Sequence, residues 1–599
     1  MLNFEPGTKV VDGFTTLELG IDSGKAASLI GPNQGAYAIN LTFRGGYPTT
    51  RPGWTTREDR WSSSDARTAF RAGKFQGASA FHPDFGNDEL FASVSGRLYR
   101  FQWSSNNRWV GSDVTPVPDP VGTPAGDPNP SILPKAYFQQ AENYLVVQDG
   151  LSSALIWGSG GTFRRAGPTQ VPTGEEMAYV LGRLWVSKGA EYVAGDIVGG
   201  PSGSSATNYR DSVLYFTENI YLAEGGAFSV GGEVTAITSM ADIDTATGDG
   251  FLVISTRDRI FSNRVPMKRE DWKNFTDPVQ RVLQINFGAL SDESIVPVNG
   301  DLYYRSQDGI RSLRTAVLRF NEPGNTPISN EVNRPLNSDS QRLLDRCSGV
   351  LFDNRLMTLC SPFQSSQGVA WRGCSVLDFD LVTSIRNKLA PAWEGVWNSN
   401  SLGILRMLTA RLNGVERLFA FTLGEEGIQI QELVLNATTD DGDAITWSLE
   451  GPSLKFASPL SIKELDFADL WFDRINGTVA LSAYYRPDQY PGWVSWTSWQ
   501  ECTTTANCTP VSSCVPLQNL KEGYMARRRL PTPEDSCNTY AGRPYRQAYE
   551  FQAKIAGSGF ARLRSLRLFA TTKMDVPVGD CPPSEALCQE LNVCAGEDI

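Results

Sequence analysis

A single histidine among 599 residues, His82, sets the first limit on what chemistry this chain can do. An imidazole-activated serine or cysteine, or a metal held by several imidazoles, would have to use it. It stands in "AFHPDFGND" before a proline, where a hairpin turn is expected and a catalytic role is not. "GIDSGKAASL" (20–29) contains a Gly-Lys pair, but a phosphate loop needs a glycine five residues before Gly24, where Leu19 stands, and a hydroxyl after Lys25, where Ala26 stands. "MADIDTATGDGF" (240–251) offers Asp242, Asp244 and Asp249 without the spacing or closing glutamate of a calcium loop. "RSQDGIRSL" (305–313) has the Ser-x-Asp-Gly of a tight hairpin and lacks the aromatic that follows the glycine in a sialidase box. No catalytic set, cofactor or metal is therefore expected.

The ten cysteines divide into two groups. If Asp353-Asn354 is a two-residue turn, Phe352 faces Arg355 and Cys347 lies opposite Cys360; a next loop centred on Gln367 brings Cys374 abreast on the same face. Buried thiols are expected there in preference to a bridge. The other seven, Cys502, Cys508, Cys514, Cys537, Cys581, Cys588 and Cys594, sit in irregular segments near the C-terminus, where disulfides help most if the protein ends outside a cell. Their six-residue steps do not match zinc-knuckle spacing. The densest basic cluster is "YMARRRLP" (524–531), with Arg527, Arg528 and Arg529, suited to phosphate, an acidic neighbour or a rim contact within an assembly.

The elements that position these residues read as all-β. Fifty-six glycines, 35 prolines and abundant aromatics are set in short alternating runs. Apolar strand, tight turn, second strand recurs at 89–102, 143–158, 178–189, 250–263, 295–314, 349–360 and 414–433. Hairpins at that spacing predict a β-propeller over 65–440 with about seven degenerate blades, since no blade can bury its faces alone. Residues 1–64 form an N-terminal arm with the first strands, and the proline-rich stretch 113–134 reads as an extended loop. It and the polar stretch 196–212 are the expected gate or docking loops. "NATTDDGDAIT" (436–446) marks a boundary, after which a β-sandwich is expected at 441–575, with an irregular insert at 501–543 and a cysteine-rich tail at 576–599. Helical turns are expected only near "REDWKNF" and "SDSQRLLDRC".

A net charge of −12 disfavours a protein that grips duplex nucleic acid through a broad basic face. No export signal is read at the N-terminus and no apolar run is long enough for a spanning helix.

The segment "SGKAASLIGPNQGAYAINLTFRGGYPTTRPGW" (23–54) resembles the N-terminal segment of tail nozzle or hub proteins of short-tailed bacteriophages. The shared positions are Pro32, Asn33 and Gln34, then Arg44, Gly45 and Gly46, then Arg51, Pro52, Gly53 and Trp54. The resemblance implies a structural virion protein, not an enzyme: a homo-oligomeric, sixfold ring below the head-to-tail adaptor, carrying tail fibres or tailspikes and passing double-stranded DNA without gripping it. It would belong to the virion tail and assemble in the host cytoplasm. Physically, Arg44 and Arg51 can fork onto carboxylates and Trp54 can anchor in an apolar pocket, either as docking contacts or in the strand that closes the propeller. Two alternatives remain: a carbohydrate-binding or glycan-hydrolysing propeller using exposed Trp and Tyr, and another virion part such as a tail-fibre anchor or minor capsid protein.

Overall fold

A computed structural model describes residues 5–57, 59–116, 135–158, 160–199, 209–217, 227–240, 251–263, 287–318, 326–385, 388–502, 526–534 and 543–573, with 269, 272, 279–281 and 539–540 between them. The chain is mostly β, and each of the seven recurring stretches forms an antiparallel strand pair.

Five small up-and-down sheets follow one another as blades of a propeller. The first runs from Phe75–Phe81 through Glu89–Val94 and Arg97–Trp103 to Trp109–Asp113, with Asp59–Trp61 added in parallel on its outer edge. The next three begin at Tyr137–Ala141, Met177–Val180 and Val234–Met240, and the three-stranded fifth at Val296–Val298. First strands lie side by side: Phe75–Phe81 on Tyr137–Ala141, that on Met177–Val180, and that on Val234–Met240. Each joint is a small hydrophobic core of its own. Phe91 of the first sheet meets Trp157 of the second edge-on at 5.0 Å, and Trp185 of the third stacks on Trp272 at 5.7 Å.

Two further four-stranded meanders follow, hydrogen-bonded into an 18-stranded network. One is Gly349–Phe352, Arg355–Ser365, Gly368–Ile385 and Lys388–Trp397. The other is Gly403–Leu412, Val415–Gly424 and Gly427–Val434, completed from the far end of the sequence by Gly53–Thr56. This last meander packs on the first small sheet, Phe419 and Phe421 meeting Trp109 and Phe70. Phe70 belongs to a helix, Ser64–Ala72, whose Ala66 and Phe70 are buried; the sequence reading places no helix there, because one apolar stripe over two turns has no periodicity to read.

Beyond residue 441 the sequence predicts several short strands in two sheets. Instead two long strands, Ile462–Pro487 and Phe551–Lys573, pair along their length, and the pairing is continuous with the rest of the large network. Asn476-Gly477 and Gly557–Gly559 are facing irregularities: the register jumps between Asn476 and Ala480, where Gly477 and Gly559 take φ of +73° and +112°. Both strands therefore bend together without reversing. Lys9–Phe14 pairs with the 566–571 end of this unit, and Tyr37–Ile39 bridges Thr446–Leu454 and the Lys388–Trp397 strand.

The segment 40–54 fastens the two regions. Arg51, with no exposed side chain, forks onto Asp440 at 2.9 and 2.7 Å and donates from Nε to Asn40 Oδ1 at 2.9 Å. Asp440 Oδ1 also accepts the Trp54 backbone N–H at 2.8 Å, and Trp54 lies against Leu418 and Leu433 in a buried cluster. Removing one partner of a buried pair strands the other. Arg51→Met is expected to cost about 3–5 kcal/mol in urea unfolding. Arg51→Met with Asp440→Asn should recover more than half of that loss, since an amide oxygen still accepts the Trp54 N–H.

Candidate functional site

The residues singled out in the sequence scatter over the fold. Arg51 and Trp54 are internal. Arg44 is held by Asp378, at 2.6 Å from its Nε, and by Asp353 and Asp380 at 2.9 and 3.1 Å. The forks anticipated for Arg44 and Arg51 are thus made within the chain. Arg527 and Arg529, on the strand Ala526–Leu530, share Asp469 at 2.7 and 3.1 Å, and Arg529 covers the Phe467 ring at 4.4 Å. Arg528 points to the other face, opposite Leu470. His82 is a turn residue, with Nδ1 2.7 Å from Asp88; that hydrogen bond raises its pKa. Ser306 donates to Asp308 at 2.7 Å inside a hairpin turn, as expected for a Ser-x-Asp-Gly turn. Cys508, Cys514, Cys537, Cys581, Cys588 and Cys594 lie outside the described residues, as do most of "REDWKNF", the aspartates of 240–251 and the cores of the loops 113–134 and 196–212. Cys502 is buried at the end of Val494–Cys502.

The three-cysteine register needs correcting at both ends: strand pairing stops at Gly349 opposite Thr358, short of Cys347, and Cys347 lies in a buried cluster with Cys374 while Cys360 lies in another. Phe352 faces Arg355 as expected, but Ser365 faces Gly368, so the next turn is Ser366-Gln367 and is centred half a residue earlier than expected. Cys374 then pairs with Leu359, and Cys360 with Gly373. Neighbouring positions along a strand point to opposite faces, so Cys360 and Cys374 are separated by the sheet. All three thiols are buried, and burial raises Cys347 and Cys374 to about 12 and Cys360 well above its usual range. Native protein treated with iodoacetamide and mapped by mass spectrometry should leave these three unmodified, and urea should expose them.

Sequence reasoning misses the charged groups that meet where the first strands of successive sheets begin. Two adjoining cavities lie there, of about 470 and 410 Å3, and Arg342 and Asp345 line both. Their walls come from 74–77, 135–137, 175–176, 231–235 and 256–259, with Glu293 and the turn before Gly349–Phe352. Because the walls come from several sheets, no local motif announces the site.

The larger cavity is edged by Lys74, Gln76, Arg342 and Arg346 and by the hairpin tip 364–368, whose Gln367 carbonyl accepts the Phe75 N–H at 2.8 Å. Glu293 at its wall is ion-paired with Arg406, which burial lowers to about 10. The second cavity holds Glu175, Glu176 and Glu233; nearby Lys135 binds Asp292 at 2.8 Å and covers the Tyr137 ring at 4.5 Å. Burial lifts the Glu176 carboxyl to about 7 although Lys135 pulls the other way, and Ser187 donates to it at 2.9 Å. Among the described residues no group of three or more potential metal ligands is found. Seven tryptophans, including Trp109, Trp185 and Trp371, are among the largest fully buried side chains, so much of the aromatic surface that could stack on sugars is spent in cores.

No family model matches this chain, and no curated protein matches it. Among solved structures it is similar to BBS1N from its complex with ARL6DN soaked with mercury, at 11% identity over 62% of this chain and 96% of that one, with a TM-score of 0.30. It is also similar to PorZ, a surface component of the type-IX secretion system of Porphyromonas gingivalis, at 12% identity over 77% of this chain and a TM-score of 0.32. The chain spans 59% of the PorZ chain's length. Likeness at this level transfers no function, and the architecture stands on the strand pairing above.

Between about pH 4.5 and 7 the unfolded chain releases the Glu176 proton while the folded chain keeps it, so this group removes stability as pH rises through that window and costs nothing below it. Glu176→Gln should therefore melt with wild type near pH 4 and above it at pH 8, by up to about 3 kcal/mol.

Proposed function

We propose that this chain is a structural subunit of a virion tail, a nozzle or hub whose copies close into a ring that conducts the genome. The observation that carries the reading is the placement of the residues behind the resemblance. Arg44 binds the 353–380 meander, and Arg51, Pro52, Gly53 and Trp54 bind the last meander and Asp440 at the boundary of the C-terminal unit, so their substitution is constrained by architecture. Gly53 illustrates this: a Cβ there would stand 2.0 Å from the Thr439 carbonyl. A motif tied this closely to the joint between a propeller and an appended β-unit supports the reading of a shared build.

The finer architecture follows the same reading. Continuing round the first strands, Val296–Val298 lies on Gly349–Phe352, that on Gly403–Leu412, and that on Phe75–Phe81, which supports seven blades closed by Gly53–Thr56 as the outer strand of the last. The two long strands, bent at Gly477 and Gly559, feed both layers of a sandwich, one end meeting Lys9–Phe14 and the other Thr446–Leu454. The acidic balance of −12 suits a lumen along which DNA slides. On this reading the partners are a head-to-tail adaptor above and fibres or tailspikes at the side, with assembly in the host cytoplasm. Among the described residues no helix is long and apolar enough to cross a membrane.

Native mass spectrometry of the full-length chain, with negative-stain class averages of the same sample, is expected to give a sixfold ring with an open channel. Monomers in both measurements, combined with turnover of a glycan by the same sample, would overturn the reading.

A further inference from the structure

The larger of the two cavities has a charge opposite to that of the chain around it. Lys74, Arg342 and Arg346 face it, against two carboxylates, of which Glu293 is already neutralised by Arg406 and Asp345 is 62% exposed to solvent. Lys74 and Arg342 have no carboxylate within ion-pair distance among the described residues. Arg346 is the unusual member. Its side chain is only 13% exposed, yet its contacts are weak: Asp345 at 3.7 Å and the Gln76 carbonyl at 3.4 Å. That carbonyl is already taken by the Ala136 N–H at 2.9 Å. Burial lowers the Arg346 pKa, the mark of a guanidinium short of compensation.

A cation removed from water normally has a bidentate anionic partner. Here the place for that partner is open space of about 470 Å3, within the range of small-molecule sites. The remaining wall fits a small polar molecule. Gln364, Ser365 and Ser366 offer amide and hydroxyl groups on one side, and Phe75, Val369 and Leu405 an apolar strip on the other. The Phe75 N–H to Gln367 carbonyl bond ties the first sheet to the hairpin tip beside Lys74, and Arg342 and Arg346 stand on the turn that leads into Gly349–Phe352.

We propose that this cavity binds a small polar molecule carrying one oxyanion, a sugar acid or sugar phosphate, with Arg346 as the principal contact and Lys74 and Arg342 at the mouth. The site needs no catalysis and is independent of whether the chain forms a ring. Ligand binding here joins the first sheet, the 355–385 hairpin and the turn 342–346, three elements otherwise linked by few hydrogen bonds.

The test is isothermal titration calorimetry of the full-length protein with glucuronate, glucose 6-phosphate, inorganic phosphate and neutral glucose, at low and high salt. Saturable binding of at least one of the anions is expected, with glucose at least about tenfold weaker and affinity falling with salt. The carboxylate and phosphate arms separate the two sources of the anion. Arg346→Gln should weaken binding about tenfold or more, as loss of a charge-assisted hydrogen bond requires. Because Arg346 also touches the Gln76 carbonyl, the exposed Arg342→Gln and Lys74→Gln serve as the second pair and should each weaken binding about threefold without moving the melting temperature. No saturable heat with any anion, equal affinity for glucose, or anion binding indifferent to all three substitutions would overturn the proposal.

Discussion

The side chain on which this molecule hangs is a guanidinium with no access to water. Arg51 reaches both oxygens of Asp440, a residue 389 positions later, and through Asn40 it is tied to Asn398 and Thr446. Those partners stand at the end of one meander, at the end of the next and at the start of the C-terminal unit. A buried ion pair is weak evidence of net stabilisation, because desolvation consumes much of the Coulombic gain. What it does secure is register. Were Gly53–Thr56 to slip by one residue, Trp54 would leave its cluster, a side chain would be driven into the Thr439 carbonyl, and Arg51 would be left buried and unpaired. Each error alone is costly, and all three arise together.

A second constraint lies in the joints between sheets. Each small sheet is narrow, and its faces are covered only by its neighbours, as the aromatic contacts between Phe91 and Trp157 or Phe419 and Trp109 illustrate. The last meander is completed by residues from the start of the chain and packs on the first small sheet, so the N-terminal strand bears on that joint as well.

What could be read from the sequence was local. Asp353-Asn354 and Asn413-Gly414 declare their hairpins because their φ > 0 geometry is chemically specified by two adjacent residues. Asn476-Gly477 carries the same letters without making a hairpin, because the partner strand has its own irregularity at Gly559 and both bend in step. Cys374 is misplaced for a related reason: Ser366-Gln367 has no turn signature to fix its centre, and half a residue is enough to change the face. The fork of Arg51 was legible as a capacity, but its partner was not, since nothing near Asp440 distinguishes it from Asp441 or Asp443. The charged cavities are wholly illegible, being assembled from the first residues of strands that the sequence keeps dozens of positions apart.

Those cavities also show how an acidic chain organises charge without a basic surface. Arg342 and Asp345 stand between a compartment holding Glu175, Glu176 and Glu233 and one edged by Lys74 and Arg346. In water at physiological salt, charges more than about 8 Å apart would be largely screened from one another. Partly buried between sheets, they are screened less: the larger compartment keeps a weakly paired Arg346, while the other mixes Glu175, Glu176 and Glu233 with Lys135, Arg257 and Arg259. An excess of negative charge over the whole chain then coexists with a local demand for an anion. The larger compartment takes its walls from the first sheet, Glu293, the turn 342–346, the hairpin tip 364–369 and Leu405, so a ligand held there touches several separate elements. Stabilisation by mass action follows from affinity, and here it would act on the joints between sheets, where the fold has least hydrogen bonding to spare.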